Sequence, residues 1–102
     1  MLICCPHCLR KNRLEATRLT ANPVCGACKH PLFTGQPSAV DAAGFDRHAS
    51  ADLPLVIDFW ASWCGPCQQF APTFSQSCAA TEPRARFLKV DTEAAPELAA
   101  RF

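Results

Sequence analysis

Eight cysteines in 102 residues are the residues most able to do chemistry, and six of them fall into three Cys-x-x-Cys pairs. The first two are Cys5-Pro6-His7-Cys8 and Cys25-Gly26-Ala27-Cys28, with sixteen residues between them. That spacing matches a four-thiolate zinc site, in which two tight turns each present two sulfurs to one ion. Pro6 and Gly26 suit such turns. Cys4 competes with Cys5 as a ligand, and His30 could substitute for a cysteine. A second disulfide system is the rival reading, and a reducing compartment argues against it. Arg10, Lys11, Arg13, Arg18 and Lys29 outnumber Glu15 in this stretch. Four thiolates and a zinc ion carry a net charge of minus two, so basic surroundings favour the site. The same cations could instead touch nucleic acid, but no aromatic residues are interleaved among them, which argues against that use.

The third pair, Cys64-Gly65-Pro66-Cys67, follows the apolar run from Leu53 to Ala61 and opens a helical pattern. A helix N-terminus offers unpaired N–H groups and partial positive charge, which stabilise a thiolate. Cys64 is placed to attack a disulfide, and Cys67, one turn on, to resolve the mixed disulfide. Pro66 sits in the first turn, where its missing N–H costs no helix bond. Taken without its context, the pair could equally be half a metal site or two core cysteines.

These groups need elements to hold them. Ala39-Val40 reads as a short strand, and Gly44 to Ala51 as a short helix with Phe45 inward. Leu53 to Ala61 reads as a strand buried on both faces. Cys67, Phe70, Ala71, Phe74 and Cys78 form an apolar helical stripe on which Cys78 is a small core residue. Arg86 to Asp91 is a further strand, and Pro96 to Phe102 begins a last helix. Alternating strands and helices predict an α/β fold with a parallel sheet. We divide the chain into a zinc-binding segment, 1–30, a turn-rich linker, 31–38, and an α/β domain, 39–102. A net charge of +1 gives no global attraction to nucleic acid or membrane. No apolar run reaches spanning length and no secretory leader is readable, so a cytoplasmic protein is expected.

Val56-Ile57-Asp58-Phe59-Trp60-Ala61-Ser62-Trp63-Cys64-Gly65-Pro66-Cys67 resembles the active-site strand and turn of the thioredoxin family, and Phe70-Ala71-Pro72 resembles its proline-kinked helix. Joined to the zinc motif, the pattern is similar to the zinc-containing thioredoxin 2 class of bacteria. The resemblance implies a thioredoxin-like fold behind a small zinc-ribbon-like N-terminal domain. It implies a protein-disulfide reductase fed by thioredoxin reductase and acting on oxidised proteins. Asp58, the one charge in its apolar strand, would exchange a proton with Cys67, a task suited to a carboxyl held out of water. Lys89 matches the family's lysine near that aspartate. Trp63, Gly65 and Pro66 would form the active-site loop, with Trp60 in a packing role. The family continues beyond the point matching Phe102, through a cis-proline loop, a strand hairpin and a final helix. A truncated chain is therefore expected, with an open apolar edge on the Asp58 strand. A zinc-ribbon module that only docks partners and an inert fragment are the alternatives.

Overall fold

The computed structural model describes all 102 residues. β1 (Leu2–Cys4) and β2 (Lys11–Arg13) form an antiparallel hairpin in which Ile3 faces Asn12. A single 3-10 turn, Ala16–Arg18, follows. Ile3, Cys5, Cys25 and Leu32 are fully buried in one small core, and Leu53, from the other side of the linker, completes it.

The second part is a three-stranded parallel sheet. Its strands are β3 (Ser38–Ala39), β4 (Leu55–Trp60) and β5 (Arg86–Asp91), in the order β3-β5-β4. α1 (Ala42–Ala49) connects β3 to β4 and α2 (Gly65–Thr81) connects β4 to β5, while α3 (Pro96–Ala99) follows β5. Asp41 starts α1 by accepting the Gly44 N–H at 2.8 Å. Leu88, Val90 and Leu98 are fully buried with Phe45 on one face of the sheet. Phe87 packs with Phe74 and Cys78 of α2 on the other. A side chain of that size contributes about 1.5–3 kcal/mol when fully buried. The central strand is therefore β5, whose residues alternate between two cores.

Three expectations need correction. The Leu53–Ala61 run is not buried on both faces: β4 lies at the sheet edge, and Val56 is 40% exposed. Apolar composition reports what a strand could bury, but neighbours decide what it does bury. Of the predicted stripe on α2, Phe74 and Cys78 are buried, whereas Phe70 is exposed. The last helix is also shorter than the Pro96–Phe102 pattern suggested, ending at Ala99.

The two parts are closely joined. Asp52 exchanges bonds with β1, its N–H donating to the Leu2 carbonyl and its carboxylate accepting from the Leu2 N–H. Arg86, at the start of β5, is 2% exposed. It pairs with Glu82 at 3.4 Å, donates to the Cys4 carbonyl at 3.0 Å and lies over the Phe33 ring. Glu82 in turn accepts the Gly35 N–H at 3.0 Å. A buried charge is tolerated only where such partners replace water.

Candidate functional site

β4 delivers the chain to the N-terminus of α2, and Cys64 is the residue that caps it. The Cys67 N–H donates to Cys64 Sγ at 3.2 Å, so one of the orphan donors of the helix is spent on that sulfur. Cys64 and Cys67 are joined by a disulfide, and both are half-buried. Pro66 lies in the first helical turn. Trp63 stands 77% exposed beside the pair. Gln68 reaches back from the helix to the Ser62 carbonyl at 2.6 Å and fixes the loop between them.

Behind the disulfide, a cavity of about 170 Å³ is lined by Asp58, Trp60, Cys67, Gln68, Ala71 and Lys89. Asp58 is 9% exposed, and its Oδ2 has no hydrogen-bond partner. An unpartnered carboxylate oxygen in such a place is costly. Lys89 is the cross-strand neighbour of Asp58 in the β4–β5 register. Its ammonium does not form an ion pair with Asp58; it lies 5.6 Å from the Trp60 ring centre. The structure thus gathers Asp58, Cys67 and Lys89 around one space and leaves Trp63, Gly65 and Pro66 on the outer rim.

The second cluster lies in the N-terminal part. The sulfurs of Cys5, Cys8, Cys25 and Cys28 all fall within 4.8 Å of one another. Cys5 meets Cys28, and Cys8 meets Cys25, each at 3.6 Å. A tetrahedral zinc–thiolate centre with bonds of about 2.3 Å has edges of about 3.8 Å, so this donor set fits the ion.

The two knuckles have nearly the same backbone. In the first, Leu9 N–H donates to the Cys5 carbonyl and Cys5 N–H to the Arg10 carbonyl. In the second, Lys29 N–H donates to Cys25 and Cys25 N–H to His30. Leu9 and Lys29 both take positive φ, 68° and 66°, to close their turns. N–H groups of His7 and Cys8 point at Cys5 Sγ, and that of Ala27 at Cys25 Sγ. Within the cluster, backbone N–H groups, that of Cys28 foremost, hold the Cys25 thiol down to about 5, while burial and the neighbouring sulfurs push the Cys28 thiol up to about 12.

Cys4 stays outside this cluster. Adjacent strand residues point to opposite faces, so Cys5 turns to the metal side while Cys4 donates to the Leu9 carbonyl at 3.6 Å. Burial pushes the Cys4 thiol up to about 11, and its sulfur is not among the four that lie within 4.8 Å of one another. His30 is not in the cluster either; it stacks on His7 at 3.8 Å. Sequence reasoning passed over Asn12, which holds the second knuckle. Its amide donates to Cys25 Sγ at 3.6 Å, and its carbonyl oxygen accepts the Gly26 N–H at 2.9 Å. Only the hairpin register carries Asn12 there, so no local spacing marks it.

An α/β sheet with a cysteine pair capping the helix after an edge strand defines a thioredoxin-like oxidoreductase scaffold. The family model described as Thioredoxin matches residues 36–102. Thioredoxin C-3 of Corynebacterium nephridii is 43% identical over the whole chain, which spans 70% of that relative. A Streptomyces coelicolor protein named as a thioredoxin 2 is 50% identical over 58 residues, covering 57% of this chain and 42% of its own. Among solved structures, the thioredoxin of Malassezia sympodialis superposes with a TM-score of 0.63 at 30% identity. That match covers 71% of this chain and 64% of the other. The chain belongs to the thioredoxin family, whose members are protein-disulfide oxidoreductases.

Proposed function

We propose that this chain carries out thioredoxin-type reduction of protein disulfides through Cys64 and Cys67, in the cytoplasm, with a zinc ion held by Cys5, Cys8, Cys25 and Cys28. The observation that carries the exchange reading is the Cys64–Cys67 pair at the α2 N-terminus, backed by an unpartnered Asp58 oxygen across one cavity.

In the reduced protein, the Cys64 thiolate attacks one sulfur of a substrate disulfide, and the other sulfur leaves as a thiolate that takes up a proton. Asp58 accepts the Cys67 proton, and the Cys67 thiolate then attacks Cys64 Sγ. The second substrate thiol departs, the Cys64–Cys67 disulfide closes, and two electrons have passed to the substrate. A reductase of the thioredoxin-reductase type returns those electrons. Lys89, the cross-strand neighbour of Asp58, lines the same cavity and supplies the positive charge nearest the pair. Trp63, Gly65 and Pro66 form the face against which an oxidised protein lies.

Zinc, when bound, supplies four bonds that tie the two knuckles together. Residues 1–30 bury few large side chains, so metal binding contributes much of their folding free energy. Oxidation of the thiolates would release the metal, giving the segment a redox-sensing use. Residues 31–38 run from it to the exchange domain, 39–102, with Leu32 seated in the segment's own core and Ser38 already in β3.

The test is reduction of insulin disulfides by the chain with a dithiol donor, alongside metal analysis. Turnover that disappears in Cys64→Ser, with one zinc per chain retained in Cys64→Ser/Cys67→Ser, supports both parts. A folded chain that binds oxidised proteins without reducing them would instead be a docking module.

A further inference from the structure

We propose that Arg47 and Arg86, both outside the metal-binding segment, are positioning residues for the metal site and set how long the ion is retained. This rests on the metal reading above, and it adds residues that no cysteine spacing includes.

The first knuckle begins after the Cys4 peptide and ends at Leu9. Each of these boundaries carries a carbonyl held by a guanidinium from the exchange domain. Arg86 Nη2 donates to the Cys4 carbonyl at 3.0 Å. Arg47, from α1, donates through Nε at 3.2 Å and Nη2 at 3.1 Å to the Leu9 carbonyl. Leu9 is the residue forced to a φ of 68°, the left-handed region that L side chains avoid because the Cβ crowds the following carbonyl. Two charge-assisted bonds on its carbonyl hold that strained peptide in the orientation that closes the turn. The second knuckle receives no guanidinium; Asn12, together with Lys29 Nζ on the Gly26 carbonyl at 2.9 Å, serves it from within the segment. The first knuckle is thus shaped from outside and the second from inside.

Charge points the same way. A loaded four-thiolate site carries a charge of minus two. Glu82 balances Arg86 within its pair, which leaves Arg47, exposed and without a carboxylate partner, as a cation that the exchange domain adds to the basic residues of the metal segment. Groups that fix metal ligands from behind typically change affinity by about 10–100-fold when removed.

The experiment measures transfer of zinc from the full-length chain to a colorimetric chelator at neutral pH, with thermal midpoints for loaded and stripped protein. Arg47→Gln should fold normally, because its side chain is exposed, yet release zinc about tenfold faster. Arg47→Lys, keeping the charge but only part of the fork, should fall between. Arg86 is buried, so Arg86→Met is combined with Glu82→Leu to avoid stranding a charge. This double variant should also release zinc faster. Arg101→Gln, which breaks the surface pair with Asp46, is the control and should match the parent. If the two arginines act as a clamp, their loss lowers the midpoint of the loaded form more than that of the stripped form, whereas loss of mere glue between the two parts would lower both equally. Parental release rates in Arg47→Gln, or equal loss in both midpoints, overturn the proposal. A parent that purifies without zinc and binds none overturns the metal reading itself, and the clamp with it.

Discussion

Lys29 is a cation forced into a backbone region better suited to glycine. Its φ of 66° closes the second knuckle, and its side chain is exposed apart from the bond to Gly26. Lys29→Gly should therefore stabilise the loaded chain by about 1 kcal/mol, read as a rise in thermal midpoint. No rise, or a fall, would mean that the Nζ bond outweighs the strain. At the exchange pair, Cys67→Ser should accumulate a mixed disulfide through Cys64 when mixed with oxidised substrate, as seen by mass spectrometry. Cys64→Ser should trap none; trapping by it would reverse the two roles. Much of this was legible from spacing alone, because a Cys-x-x-Cys turn is a local object. Six sulfurs and their division into two groups need only counting. Asn12, Arg47 and Arg86 were not legible, because each reaches its partner through tertiary structure, Arg86 across 82 positions.

At the scale of elements, the decisive strand is β5, not the more apolar β4. Leu88 is fully buried between its neighbours, so Leu88→Ala should cost about 2–5 kcal/mol in urea unfolding. Val56→Ala, at the exposed edge, should cost well under half as much. Equal costs would contradict the sheet order. The order of strands and helices was readable because their hydrophobic periods differ. Which strand is central was not, since β4 is the more apolar of the two while β5 carries Arg86, Lys89 and Asp91, and pairing rather than composition decides their exposure. Phe70 shows the same limit: its helical spacing is that of a core residue, but no element covers it here.

Across the whole molecule, the shared core and the Arg86 contacts make the metal segment part of the same folding unit. Leu53 lies in the N-terminal core and Arg86 opens the central strand. Chelation should lower the thermal midpoint monitored anywhere in the chain, in one transition rather than two. An exchange domain that melts at an unchanged temperature after zinc removal would disprove that linkage. Acid acts on a different buried group. His48 is 2% exposed with an unpartnered Nε2, and burial, aided by the Arg86 charge, lowers it from 6.5 to about 4. The folded state therefore binds fewer protons than the unfolded one between those values. The stabilisation due to His48 staying neutral is present above pH 6.5 and is lost as pH falls towards 4. His48→Met should flatten the decline in urea midpoint across that window relative to the parent. An identical slope would place the acid sensitivity elsewhere, the metal thiolates being the obvious source.

The position of the two tryptophans has an optical consequence. Trp60 ends β4, Trp63 stands beside Cys64, and the chain contains no tyrosine. All useful near-ultraviolet emission therefore originates within a few residues of the exchange pair, and the metal segment is dark. A disulfide quenches a neighbouring indole by accepting its excited electron, so reducing Cys64–Cys67 should brighten the protein without any label. Stripping zinc leaves the emission unchanged until the sheet itself gives way. One excitation wavelength thus reports the redox state directly, and the metal only through its effect on the fold.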